Sequence, residues 1–258
     1  VTTSDLSKFA LILFLASFIE INRRNINNIK ILSVELLPYI FFTLLMIFFQ
    51  PDMSTTFTIS IILLLMIYIA GINFKYIAYT LCSSLFIVLI KIMVTPYQRI
   101  RFSNWYYSVD DGQNTASILS LSNGGFLGLG LGESTFKKGL LPAVHTDFIL
   151  PIIGEEFGFL GIMSIFILFF LFLFLTIRIL QRVQDTFGFF LGMGIVLNVI
   201  CYFLINAAYV VGIFPTTGLP LPFISYGGSH LVLTLASMGI LFNIAKQVLY
   251  KKSVNLSL

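Results

Sequence analysis

Apolar runs long enough to cross a bilayer recur along most of the chain, and this feature leaves the fewest folds open. An α-helix rises about 1.5 Å per residue, so about 20 apolar residues cover the roughly 30 Å hydrocarbon core. Runs of that size lie near 6–22, 36–50, 54–72, 76–94, 158–178, 187–213 and 231–248. They predict an all-α polytopic membrane protein with about seven transmembrane helices. No repeat period, Gly/Ser linker or low-complexity tract divides the runs, so residues 1–258 read as a single membrane domain. Composition agrees: 58% of residues are hydrophobic and 10% charged, against about 25% charged in soluble domains. A soluble globule and a disordered chain are both excluded. The net charge of +4 does not point to nucleic acid, because the basic residues are scattered between apolar runs rather than clustered. Cys82 and Cys201 sit inside apolar runs and read as small buried hydrophobes, with no disulfide framework or metal site.

The charged residues sort by side, and the side richer in Lys and Arg is cytoplasmic. One set of span ends carries Arg23, Arg24, Lys30, Lys75, Arg178, Arg182, Lys246, Lys251 and Lys252 against Glu20, Glu35 and Asp185, nine basic to three acidic. The other carries six basic residues, among them Arg99, Arg101, Lys137 and Lys138, against eight acidic ones. The first set is therefore cytoplasmic, which puts the C-terminus inside and, with an odd number of spans, the N-terminus outside. No signal peptide stands at Val1 to carry that end across, so an odd number of upstream spans is expected to be missing.

The longest connection, residues 95–157, falls on the extracytoplasmic face, and connections of that length are usually functional or disordered. Its segment NGGFLGLGLG at 123–132 superficially matches a phosphate-binding glycine loop, but a dinucleotide fold needs a strand before it and a helix after it. The glycines read better as a turn that lets backbone approach the membrane or another helix. Further on, Lys137, Lys138, His145, Asp147, Glu155 and Glu156 crowd into one short stretch with strongly apolar neighbours. Asp147 at an apolar edge is suited to accept a proton; Thr146 and Asp147 are equally good helix caps, and composition alone favours the cap. Arg99 and Arg101 oppose the charge bias of their own face and need an anionic partner: lipid phosphate, a loop carboxylate or an anionic substrate. Three Pro and three Gly within 215–228 break any helix there, which is tolerable in a membrane only against protein or a water-filled cavity.

Four blocks carry a resemblance: QPDMST at 50–55, YQRIR at 97–101, GLGESTFKKGLLPAVHTDFILPIIGEEFGFLG at 130–161 and PTTGLPLPFISYGGS at 215–229. In these the chain resembles the SEDS family (shape, elongation, division and sporulation), polytopic peptidoglycan glycosyltransferases that include FtsW, RodA and SpoVE. The likeness runs from end to end and lies closer to FtsW or SpoVE than to RodA. It departs from the family at Thr3-Ser4-Asp5, Ser54, Ala116 and His230. The resemblance implies a ten-helix fold, of which the fourth to tenth are present here in an N-terminally truncated fragment, with a long extracytoplasmic loop.

It also implies a multi-pass protein of the cytoplasmic (inner) membrane that polymerises lipid II on the extracytoplasmic face during cell division, with Asp147 as the catalytic acid/base residue. Arg99, Arg101, Ser134, Lys137, His145, Thr146, Glu155, Glu156, Ser225 and Gly227 are the expected substrate-binding residues. No cofactor is fixed, and a divalent cation, Mg or Mn, shared with carboxylates is left open. Expected partners are lipid II, a class B penicillin-binding protein transpeptidase and other division-complex membrane proteins. The alternatives are a lipid II flippase, an elongation-type RodA polymerase and an inactive scaffold.

Overall fold

A computed structural model describes residues 3–49, 53–78, 81–82, 86, 93–107, 112–138, 143 and 145–255. Among these residues the chain is helical and contains no strand. The helices used below are α1 (Thr3–Ile21), α2 (Leu37–Phe49), α3 (Met53–Ile69), α4 (Pro96–Tyr106), α5 (Gln113–Gly124), α6 (Ile149–Leu180), α7 (Thr186–Val210) and α8 (Gly228–Asn255). Segments of α6, α7 and α8 are each long and apolar enough to cross a membrane. The runs expected near 6–22, 36–50 and 54–72 correspond to α1, α2 and α3, whereas most of the run expected near 76–94 lies outside the described residues.

The chain folds into two compact units, each assembled from segments distant in sequence. The first comprises residues 1–85, 173–201 and 228–258. Its core pairs one stripe of α1 (Leu11, Ile12, Leu15, Ala16 and Ile19) with Ile59, Ile62, Leu63 and Met66 of α3, all buried. Gly194 of α7 belongs to the same core: a Cβ there would overlap Ile12 and press on Met66, so a small residue is required for close approach. Cys201 is buried, as expected, but Cys82 is exposed, which corrects its reading as a buried hydrophobe. Apolar surroundings in sequence do not distinguish a core-facing side from an outward one.

The second unit comprises residues 86–172 and 202–227. The connection expected at 95–157 is not a plain loop, for it holds α4, α5 and the first two turns of α6. Pro96 at the first helical position starts α4, and Trp105 near its end donates from Nε1 to the Gly212 carbonyl at 2.9 Å. Helix α5 buries its small face (Ala116, Ser117, Ser120 and Gly124) and leaves Ile118 and Leu119 outward. Ser117 donates to the Val210 carbonyl at 2.8 Å and Ser120 to the Pro151 carbonyl at 3.1 Å. The outward side of α5 is mixed, with Thr115, Ser122 and Asn123 exposed beside Ile118 and Leu119.

Helix α6 is broken at Gly158, whose backbone is non-helical (φ 66°, ψ −161°). The expected span start at 158 coincides with this break, and Ile149–Phe157 is a separate short helix that carries Glu155 and Glu156. The glycine-rich segment after α5 packs directly on it: Leu129 and Gly130 donate from their amides to the Glu155 and Glu156 carbonyls at 2.9 and 3.0 Å. Phe159 returns a bond to the Gly125 carbonyl at 2.9 Å. A Cβ at Gly124, Gly128 or Gly158 would collide with the opposing backbone. The glycines therefore serve helix-to-backbone packing.

Candidate functional site

Asp147 lies in the turn before α6, half-buried, within the second unit. Its own backbone and its neighbours are held from three directions. The Asp147 carbonyl accepts from the Tyr209 hydroxyl at 2.5 Å and from Asn206 Nδ2 at 3.1 Å. The Thr146 carbonyl accepts from Ser225 Oγ, and the His145 carbonyl accepts from the Tyr226 amide at 2.8 Å. Phe148 closes the turn with its ring edge-on to Tyr209, centroids 5.6 Å apart. These bonds fix the main chain on both sides of the Asp147 carboxyl, which itself meets the Thr146 hydroxyl.

The same donors shape the segment opposite. Asn206 Nδ2 donates to the Leu219 carbonyl at 2.7 Å, and Ser225 Oγ accepts from the Leu221 amide at 2.7 Å. Gly218 lies beside the carboxylate, where a Cβ would stand 3.4 Å from Asp147 Oδ2, and its φ of 73° favours glycine. The Pro/Gly segment thus approaches the Asp147 carboxyl at Gly218. Burial pushes the Asp147 pKa up, while the Thr146 hydroxyl and the positive charge of Arg101 pull it the other way. A half-buried acid held above its ordinary pKa, next to a cation, is equipped to take a proton.

Arg101 and Arg99 are two positions apart on α4 and project to different sides; Arg101 acts on Asp147, and Arg99 is exposed. Thr146, half-exposed, meets Asp147 through its hydroxyl, whereas His145, exposed, is tied to the closing segment through its carbonyl. Ser225 is buried and Gly227 follows Tyr226 in the same closing segment.

Ser134 and Glu155 form a second cluster. Both are fully buried, and the Glu155 carboxylate accepts from Ser134 Oγ (2.5 Å), Thr135 Oγ1 (2.8 Å), the Thr135 amide (3.2 Å) and the Phe136 amide (3.4 Å). Their polar atoms are spent on one another, which fixes the 134–138 turn. That turn presents Lys137 and Lys138 outward, and Lys137 Nζ lies 3.8 Å from Glu156 Oε1. Among the described residues no three His, Cys, Asp or Glu side chains are grouped to hold a metal ion.

Asn206 and Tyr209 are the residues that sequence reading missed. They stand in an apolar run and look like ordinary helix interior; the one available signal was Asn206 itself, an amide that cannot remain buried without partners.

The profile of the family described as Cell cycle protein, FtsW/RodA/SpoVE, matches residues 2–250. The chain belongs to this family. Among FtsW/RodA/SpoVE proteins, the chain is 36% identical over 250 residues to a probable peptidoglycan glycosyltransferase FtsW of Trichlorobacter lovleyi, covering 94% of this chain and 65% of that protein. It is 33% identical over 252 residues to stage V sporulation protein E of Bacillus subtilis, covering 96% of this chain and 69% of the relative. The chain thus spans about two thirds of the length of these relatives. The same fold occurs in a chain of a peptidoglycan synthase complex (TM-score 0.75, 22% identity, 95% of this chain and 70% of that one). It occurs also in the Rod shape determining protein RodA of Thermus thermophilus (TM-score 0.66, 20% identity, 95% and 66%). The membrane-crossing helices and this membership make the chain a multi-pass membrane protein.

Proposed function

We propose that the chain carries the polymerising core of a peptidoglycan glycosyltransferase of the inner membrane that links lipid II into glycan strands at the division septum. The observation that carries this reading is the Asp147 carboxyl, half-buried beside Gly218, acted on by Arg101, with its main chain held by Asn206 and Tyr209. FtsW relatives named as glycosyltransferases support it. In the reaction, Asp147 takes the proton of an acceptor sugar hydroxyl as that oxygen bonds to the anomeric carbon of the lipid-linked donor. The bond from that carbon to pyrophosphate breaks, and undecaprenyl pyrophosphate leaves with the electron pair. The leaving group is already activated, so no nucleotide is needed outside the cell. Arg101, Arg99 and Lys137 are the cations suited to the pyrophosphate charge, with Lys138 beside them and His145 and Thr146 at the rim. Fold likeness to a chain of a complex that coordinates polymerization and crosslinking supports a class B penicillin-binding protein as partner. Asp147→Asn in the full-length protein is expected to abolish polymerisation of purified lipid II with folding retained; an active variant would refute the assignment.

A second reading, movement of the lipid-linked substrate across the bilayer, has one observation in its favour. In the first unit Lys8 donates to Asp5 at 2.9 Å with both side chains buried, and the pair lines a small cavity with His230 and Asn198. Ionisable groups inside a membrane domain often mark a transport path. Lys8→Met in the full-length protein, tested for translocation of labelled lipid II in proteoliposomes, distinguishes the two: unchanged translocation removes this reading.

A further inference from the structure

Residues 123–132 carry no charge, and four apolar side chains stand out from them: Phe126, Leu127, Leu129 and Leu131 are 64%, 75%, 47% and 78% exposed. In water, so much outward apolar surface on one short segment is unusual. Leu127, Leu129 and Leu131 alternate with Gly128 and Gly130.

Part of the backbone of this segment is paired within the protein. Gly125, Gly128, Leu129 and Gly130 donate their amides to the carbonyls of Ser122, Gly124, Glu155 and Glu156 at 2.8–3.3 Å. The carbonyls of Gly124, Gly125, Phe126 and Gly130 accept from Gly128, Phe159, Leu160 and Glu133. A non-helical segment can meet hydrocarbon only when its polar backbone is satisfied within the protein. Within 126–131 the amides of Gly128, Leu129 and Gly130 and the carbonyls of Phe126 and Gly130 meet that condition, so it is the projecting side chains, rather than the whole backbone, that suit hydrocarbon.

The position of the segment names its neighbour. Phe126 stacks on Phe159, centroids 6.0 Å apart, and Phe159 opens the long apolar part of α6, the least buried of the helices able to cross a membrane. Only 17% of the α6 apolar window is buried, against 78% for α7. The outward apolar surface of the loop is therefore continuous with the lipid-facing surface at the N-terminal end of that helix.

We propose that residues 126–131 form a membrane-anchoring loop, whose Phe126, Leu127, Leu129 and Leu131 side chains reach from the interface into the acyl-chain region of the leaflet where the long part of α6 begins. The glycines allow the backbone to lock onto Gly154–Gly158, and the leucines anchor that locked unit to the bilayer. The loop shares the 154–158 segment with the Glu155 cluster, so anchoring fixes the height of the 134–138 turn relative to the lipid surface. The proposal does not rest on the glycosyltransferase reading.

The test uses the full-length protein with Cys82→Ala and Cys201→Ala, carrying single cysteines at Leu127 or Leu131 labelled with an environment-sensitive fluorophore. Both positions are strongly exposed, so a cysteine there displaces no packed neighbour. The same label at Leu168, outward on α6, and at Lys138, exposed on the neighbouring turn, provides the two references. In nanodiscs of phosphatidylethanolamine and phosphatidylglycerol, with no other protein, labels at 127 and 131 are expected to emit to the blue of the Lys138 label. Doxyl-labelled phosphatidylcholine should quench them several-fold more than Lys138 and about as strongly as Leu168, with weak quenching by iodide. Iodide quenching equal to that at Lys138, without excess lipid quenching, overturns the proposal and leaves a partner protein as the cover for this surface. Reading two loop positions keeps the result decisive if one variant fails to fold.

Discussion

The hydroxyl of Tyr209 donates to the main-chain carbonyl of Asp147 at 2.5 Å, across 62 residues of sequence. Asn206, one turn earlier on the same helix, donates to that carbonyl and to the carbonyl of Leu219. Two side chains of α7 thus hold both walls of the space in front of the Asp147 carboxyl, and the geometry of the acid depends on a helix that contributes no charge to the site.

Tyr209→Phe removes one donor to a carbonyl that still accepts from Asn206, so a loss of about 1 kcal/mol is expected. Asn206→Leu removes the donor shared by Asp147, Leu219 and Tyr209 and should cost more. Thermal unfolding in detergent measures both. On the proposed reading, polymerisation of lipid II should fall in the same order, with kcat more affected than KM because Asp147 is misplaced while the cations that hold substrate remain.

A pKa raised by burial has a definite sign in both activity and stability. A base acts only when ionised, so the acid limb of kcat/KM is expected above the 3.8 of an ordinary Asp, and Arg101→Met should move it further up. For stability, a folded pKa above the unfolded one favours the protonated fold. That contribution is present below pH 3.8 and is lost as pH rises through the folded pKa. Asp147→Asn should therefore melt higher than the parent at pH 7 and show a smaller difference near pH 4.

Glu155→Gln replaces an acceptor-only group, surrounded by donors from Ser134, Thr135 and Phe136, with one that presents its own N–H to them. A loss of about 2 kcal/mol is expected, because bonds to a buried charged group are the stronger kind. Limited proteolysis should show it first as cleavage within 134–138, before the helices unfold.

Gly158→Ala places a Cβ against the Phe126 carbonyl in a backbone region reserved for glycine and should cost at least about 3 kcal/mol. Gly132→Ala makes a useful contrast: its φ is 86° and nothing stands within 4 Å of an added Cβ, so only backbone strain of about 1 kcal/mol is expected. Yields of folded protein and thermal midpoints compare the two.

The helices that cross the membrane were legible without a structure, because burial in lipid is written in composition over any window of about 20 residues. The Asp147 turn and the Pro/Gly segment were legible as motifs for a similar reason: helix breakers and charges are rare in so apolar a chain. Polar α5 was hidden, since Gln113–Gly124 buries serines and exposes leucine and isoleucine, the reverse of the pattern expected in water. So was the function of the 123–132 glycines, which depends on backbone atoms of 154–158 that side-chain identity does not encode. Glu155 shows the same limit: a carboxylate in a charged stretch reads as a ligand group, and only folding reveals the four neighbouring donors it accepts from. Which polar groups are already engaged is decided by where the main-chain and side-chain hydrogen bonds of distant segments end, and that is a property of tertiary packing alone.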